Sequence, residues 1–219
     1  AVPLPQYFEV GSKSSPILRL APLRDSLIVI KTDGVYRVNG DSGEFVVTTL
    51  DQTIICKAAN SVTTLNNQVY FVSNQGVVAV SDSGATVVSR PIETSLTAVI
   101  GQSYFEAQTN AVGYESERLY LLSTVSPSST TADIVYCYNA ATEAWTSWDA
   151  TFKDALIEPS TDVMFYINTS SALQKERKTQ TKLDYCAQDY AVSVVAVSSD
   201  RLSAELSVSG ATAVVGDVV

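Results

Sequence analysis

Short runs of β-branched and aromatic residues alternate with polar turns along most of this chain, and that punctuation leaves little room for anything but antiparallel sheet. The clearest case is Arg24 to Val38, RDSLIVIKTDGVYRV, where two apolar stretches flank Thr32-Asp33-Gly34. Gly accepts a positive φ, so an Asp-Gly pair between such stretches reads as a tight hairpin. Asn39 to Gly43 makes the next turn and EFVVTT the next strand.

The same pattern continues through TIICK (53–57), 62–65, QVYFVS (68–73), GVVAVS (76–81) and ATVVS (85–89). Their connections are Asn66-Asn67, Asn74-Gln75-Gly76 and Asp82-Ser83-Gly84, which makes an up-and-down meander. PIETSLTAVI (91–100) is the exception, a short helix with Pro in its first turn and Ile92, Leu96, Val99 and Ile100 on one face. Strands resume over 111–115, 118–125, 133–139, 144–149, 155–157, 163–168 and 172–175, with a low-complexity loop at Ser126 to Thr131.

Strand clusters therefore recur about every 40 residues, the spacing of propeller blades, and no helical crossovers separate them. The expected fold is all-β: β-propeller blades of antiparallel strands followed by the start of a small β-barrel or sandwich domain. A β-sandwich throughout would give a similar strand density. Residues 1–24 hold four of the seven prolines and read as an extended N-terminal arm, 25–180 as a partial propeller of about four blades, and 184–219 as the second β domain. KERKTQTK (175–182) is a solvated basic linker between them, in preference to a nucleic-acid contact. Neither end reads as a domain boundary, so the chain is expected to be a piece of a longer protein.

Composition narrows the chemistry. There is no histidine, which removes Ser-His-Asp and Cys-His nucleophiles and His-ligated metals from these 219 residues. No phosphate-cradling glycine loop and no cysteine pair at metal spacing is present. Cys56, Cys137 and Cys186 sit singly among apolar residues and read as free buried thiols. A net charge of -9 argues against wrapping nucleic acid by neutralising phosphates. No run of 18 apolar residues exists, so no membrane-spanning segment is expected.

Paired carboxylates are the remaining enzymatic route, with Glu106, Glu115, Glu117, Asp149, Asp154, Glu158 and Asp162 as candidates at turns and strand ends. No pair stands out, so no catalytic, cofactor-binding or metal residue is assigned, no cofactor is expected, and the protein is not expected to be an enzyme. Asp82 to Thr86 partly matches the D-x-G-x-T-W hairpin of sialidase-type propellers, with Val87 in place of Trp; such a box stabilises a turn. DIVYCYNAATEAWTSWD (133–149) resembles a kelch-type hairpin, in which Tyr136, Tyr138, Trp145 and Trp148 lock blades by packing. Sugar stacking on those aromatics, in a carbohydrate-binding propeller, and a carboxylate-dependent glycoside hydrolase are the alternative functions.

Four segments carry a resemblance: QYFEVGSKSSPILRLAPLRDSLIVIKTDGVYRVNGD, VYFVSNQGVVAV, SRPIE and YCYNAATEAWTSWD. Over residues 6–149, and more loosely through LDYCAQDYAVSVVAV to VGDVV, the chain resembles the tail nozzle protein, of tail tubular protein B type, of short-tailed, podovirus-like bacteriophages. That resemblance implies a β-propeller in a hexameric ring below portal and adaptor, with a central channel that conducts DNA during genome ejection. It further implies adaptor and tail fibre or spike proteins as partners, and a virion tail assembled in the host cytoplasm. Acidic loop residues facing the channel would repel phosphate and lower friction as DNA passes.

Overall fold

The computed structural model describes residues 8–41, 44–148, 150–176, 191–197 and 204–209. Its contacts divide the chain into two units, Ala1–Arg177 and Lys178–Val219. The first unit is all-β, with four antiparallel meanders in sequence order. The second contributes one antiparallel hairpin, β16 (Ala191–Val197) with β17 (Ala204–Ser209), to the described residues. The rest of the small β domain expected over 184–219 lies outside the described residues, as does most of the basic linker.

The first blade is β1 (Ile17–Pro22), β2 (Leu27–Lys31), β3 (Gly34–Asp41) and β4 (Glu44–Asp51). The second is β5 (Thr63–Leu65), β6 (Gln68–Ser73), β7 (Gly76–Ser81) and β8 (Gly84–Val87). The third is β9 (Asn110–Tyr114), β10 (Leu119–Thr124), β11 (Ile134–Asn139) and β12 (Ala144–Trp148). The fourth has three described strands, β13 (Phe152–Glu158), β14 (Val163–Asn168) and β15 (Leu173–Lys175). Each strand pairs with its sequence neighbours, and the first strands β1, β5, β9 and β13 lie next to one another in series.

Turn chemistry sets this regularity. Asn66 and Asn67 both adopt positive φ, 50° and 55°, as a two-residue I′ turn requires, and Leu65 pairs with Gln68 across it. Gly34, at φ 140°, opens β3 directly after Thr32-Asp33. A side chain there would also meet the main chain of Asp51 and Gln52, its nearest atom 2.6 Å from a Cβ.

Burial follows from stacking. Val69, Phe71, Val78 and Val80 of the second blade pack on Ile28, Ile30 and Val35 of the first. From the opposite face, Tyr70, Val72, Val77 and Ala79 pack on Tyr120, Leu122, Tyr136 and Tyr138 of the third. A sheet covered on both faces has no reason to alternate polar and apolar residues, which explains why β6 and β7 are almost continuously hydrophobic. The third blade turns Val112, Leu121, Val135 and Cys137 to Phe152 and Met164 of the fourth.

The helix expected over 91–100 is present as a 3-10 turn at Arg90–Ile92 followed by α1 (Glu93–Ile100). With α2 (Phe105–Gln108) it seals the core between the second and third blades through Leu96, Val99 and Phe105. The structure differs from the sequence reading in several places: residues 39–41, expected in a turn, continue β3, and α2 is a helix the sequence reading does not contain. Part of the arm, Ile17–Pro22, is a paired strand, because its prolines fall at the boundary positions 16 and 22, where they remove no needed ladder donor. TIICK at 53–57 makes a single bridge, Cys56 with Ser73. Its polar groups are taken instead by Asp51, which accepts from the Thr53 amide and hydroxyl, and by Asn74, which accepts from the Ile55 amide.

Candidate functional site

The first strands of the four blades enclose a cleft of about 530 Å³, lined by Arg19 and Leu20 of β1, Thr63 and Thr64 of β5, Asn110 of β9, and Lys153 and Asp154 of β13. β1 is bounded by Pro16 and Pro22 and β5 opens on two threonines, and each strand gives at least two consecutive residues to the cleft. Arg19 spans the first joint: its Nε donates to Ala59 O at 3.0 Å and its Nη2 to Asn60 Oδ1 at 2.5 Å. Lys153 Nζ donates to Ser171 Oγ at 2.8 Å. The charged residues lining the cleft are thus two cations and one carboxylate, a polar concavity whose arginine is engaged in holding blades together.

At the end of the blades that carries the first hairpin turns, a second cleft of about 600 Å³ is lined by Thr64, Gly113, Glu115, Ser116, Pro159 and Asp162, among others. Here the turns are strung from blade to blade. The Arg24 amide donates to Asn67 Oδ1 at 2.8 Å, and the Asn66 amide donates to both Glu115 carboxylate oxygens at 3.1 Å. Ser116 Oγ donates to the Asp162 carboxylate at 2.7 and 2.6 Å, and Tyr114 Oη to the Asp162 carbonyl at 2.6 Å.

The carboxylates singled out from sequence therefore divide by task. Glu115 and Asp162 come together in the second cleft, and both accept hydrogen bonds that tie neighbouring turns. Glu158 accepts from Thr161 Oγ1 at 2.5 Å, and the hydroxyls of Thr161 and Ser160 hold its carboxyl below the usual value. Asp154 lies in the first cleft, where one of its oxygens accepts from the Ala155 amide. Glu106 sits in α2, and Asp149 lies outside the described residues. Among the described residues, no three His, Cys, Asp or Glu side chains are grouped to hold a metal ion.

The aromatic hairpin packs between blades. Trp145 Nε1 donates to Val88 O at 2.8 Å, and its ring lies 5.0 Å from that of Tyr138, which neighbours Tyr70 at 5.9 Å. Trp148 is more open, at 38% exposure. Cys56 and Cys137 are free and buried, and burial pushes their thiols up to about 11 and about 12. Cys186 lies outside the described residues.

Sequence reasoning did not single out three groups. Tyr120, fully buried, donates to Ser61 O at 2.9 Å across the second joint, and burial raises its phenol strongly. Ser123 Oγ accepts the Phe152 amide at 3.0 Å where the chain enters the fourth blade. Lys31, only 3% exposed, closes the polar end of β2 against residues 10–12. A serine or lysine in a strand carries no signal of a partner tens of residues away; only the aromatic pattern of β11 and β12 pointed to a packed joint.

Among the described residues, no helix is long and apolar enough to cross a membrane. No protein family matches the sequence, and no curated protein matches it. Among solved structures, the chain is similar to the extracellular domain of a protein described as a one component system from B. thetaiotaomicron, and to the same domain described as part of a hybrid two component system. In each case the identity is 14% and the TM-score 0.43, over 75% of this chain and 22% of the other.

Proposed function

We propose that this chain is a structural component of a phage tail, part of a hexameric nozzle ring whose channel conducts DNA during genome ejection. The observation that carries the reading is the resemblance over residues 6–149. Its quoted segments fall on the β2–β3 hairpin, on β6 and β7, on the entry to α1, and on β11 and β12. These are the elements from which the blade stack is made, so the likeness lies in the scaffold. A scaffold role also accords with how the clefts are used: Arg19, Glu115 and Asp162 all bond across blade joints.

On this reading the ring assembles in the host cytoplasm and becomes part of the virion tail, with adaptor and tail fibre or spike proteins as neighbours. The net charge of -9 suits a conduit through which phosphates must pass without adhering. Sedimentation and electron microscopy of the intact protein, with its adaptor protein present, provide the test. Six-fold rings with an open centre are expected, and a protein that stays monomeric under those conditions overturns the reading.

A further inference from the structure

Among the described residues no sheet is stacked on the outer face of the first blade, yet its core residues Val29, Tyr36 and Val38 are buried. The cover is the chain's own segment just before β1. Phe8 stacks on Phe45 with ring centroids 5.2 Å apart, and Val10 packs against the Val29, Tyr36 and Val38 cluster. Gly11 crosses the Tyr36 ring at φ 62°, so close that a Cβ would lie 2.5 Å from the ring carbon. The Ser12 amide donates to Asp33 Oδ2 at 3.2 Å.

One side chain fastens this cover. Lys31 Nζ donates to Val10 O and to Ser12 O, each at 2.6 Å, and lies 5.7 Å from the Tyr36 ring centroid. Its nearest carboxylate, Asp33, is 4.0 Å away. A buried ammonium needs several strong acceptors, and Lys31 finds two in main-chain carbonyls of the covering segment. Burial pulls the Asp33 carboxyl upward, but the Ser12 amide, the Ser15 hydroxyl, Lys31 and Tyr36 outweigh it and hold it below the usual value.

The hold is local. Among the described residues, the polar contacts of residues 8–15 run to Lys31 and Asp33, both at the β2–β3 turn, or stay within the segment, as between Ser15 N and Ser12 O and between Glu9 and Lys13. The joints between blades use other residues. We propose that residues 8–15 form a releasable strap over the outer face of the first blade, and that the buried Lys31 ammonium is its latch. With the strap down that face is closed; with the latch undone it opens while the blade stack stays intact.

Hydrogen exchange on the 219-residue chain, followed by mass spectrometry, tests this. Lys31→Met keeps a long side chain in place but offers nothing to the two carbonyls. Gly11→Ala leaves the latch intact and drives the strap off the Tyr36 ring, and it carries the same test if the first variant does not fold. Exchange at Ser12 and Ser15 is expected to rise at least tenfold in either variant, with exchange in β6 and β10 unchanged. Unchanged strap exchange in both variants overturns the proposal. So does a rise in β6 and β10 parallel to that of the strap, since the segment would then be an inseparable part of the blade stack.

Discussion

Gly113 and Thr64 meet where the first strands of the second and third blades cross: a Cβ on Gly113 would lie 2.5 Å from the Thr64 carbonyl oxygen. The opposing atom is main chain and cannot swing aside, so only a glycine lets β9 approach β5 this closely. Gly113→Ala is expected to destabilise the fold by about 1–3 kcal/mol, and Gly113→Val by more. Urea unfolding followed by circular dichroism measures this as a lower midpoint at constant slope.

At the same joint the buried Tyr120 hydroxyl donates to Ser61 O at 2.9 Å. Tyr120→Phe keeps the ring and removes the donor, leaving a buried carbonyl short of a partner. The expected loss is about 1–2 kcal/mol, read as a lowered thermal midpoint with an unchanged far-ultraviolet spectrum.

Stability is expected to fall in alkali. Burial raises Cys56 from 9.0 to about 11, Cys137 from 9.0 to about 12 and Tyr70 from 10.0 to about 12, and it raises Tyr138 and Tyr120 as well. Above pH 9 the unfolded chain releases these protons first and so binds fewer than the folded chain, which makes the slope of stability against pH negative. The contribution is intact below pH 9, weakens as the pH passes 9 and then 10, and is lost through 11–12. Unfolding free energies measured from pH 7 to 12 check the shape, and a curve flat to pH 12 contradicts it.

The same burial makes the two described thiols inert. In a Cys186→Ser background, a thiol reagent such as dithionitrobenzoate is expected to find almost no reactive group in the native chain and two in denaturant.

Trp145 fills the joint between the second and third blades and donates to Val88 O. Trp145→Ala, at a partly buried position, is expected to cost about 1–3 kcal/mol in chemical unfolding, whereas Trp148→Ala, at a more exposed position, is expected to cost less. Equal effects of the two substitutions would contradict the packing role.

Much of this fold was legible in the sequence where local and long-range demands agree. QVYFVS and GVVAVS are strands of the same bounds in the structure, because a β-branched run between Asn and Gly turns has no competing local structure. TIICK has the same composition but runs between blades: its Thr53 and Ile55 amides find side-chain acceptors, Asp51 and Asn74, and main-chain pairing is confined to its contact with residues 72–74. The prolines near β1 concealed a strand because they stand at its limits. Lys31 looks like any solvated strand end, and its burial depends on a segment some 20 residues earlier folding back upon it. In the clefts, Glu115 and Asp162 were visible as acids in turns, but the turns they bind lie 49 and 46 residues away in sequence.

The hydrogen bonds strung along the first turns bear on how such a repeat can drift. In the links Arg24 to Asn67 and Asn66 to Glu115 the donor is a main-chain amide, which every residue but proline supplies. Positions 24 and 66 thus owe these links only a backbone, and in each of the two it is the acceptor side chain, Asn67 or Glu115, that carries the recognition. Blades joined in this way can lose nearly all likeness to one another and still register correctly, which is why the repeat here is plain in its spacing and faint in its letters.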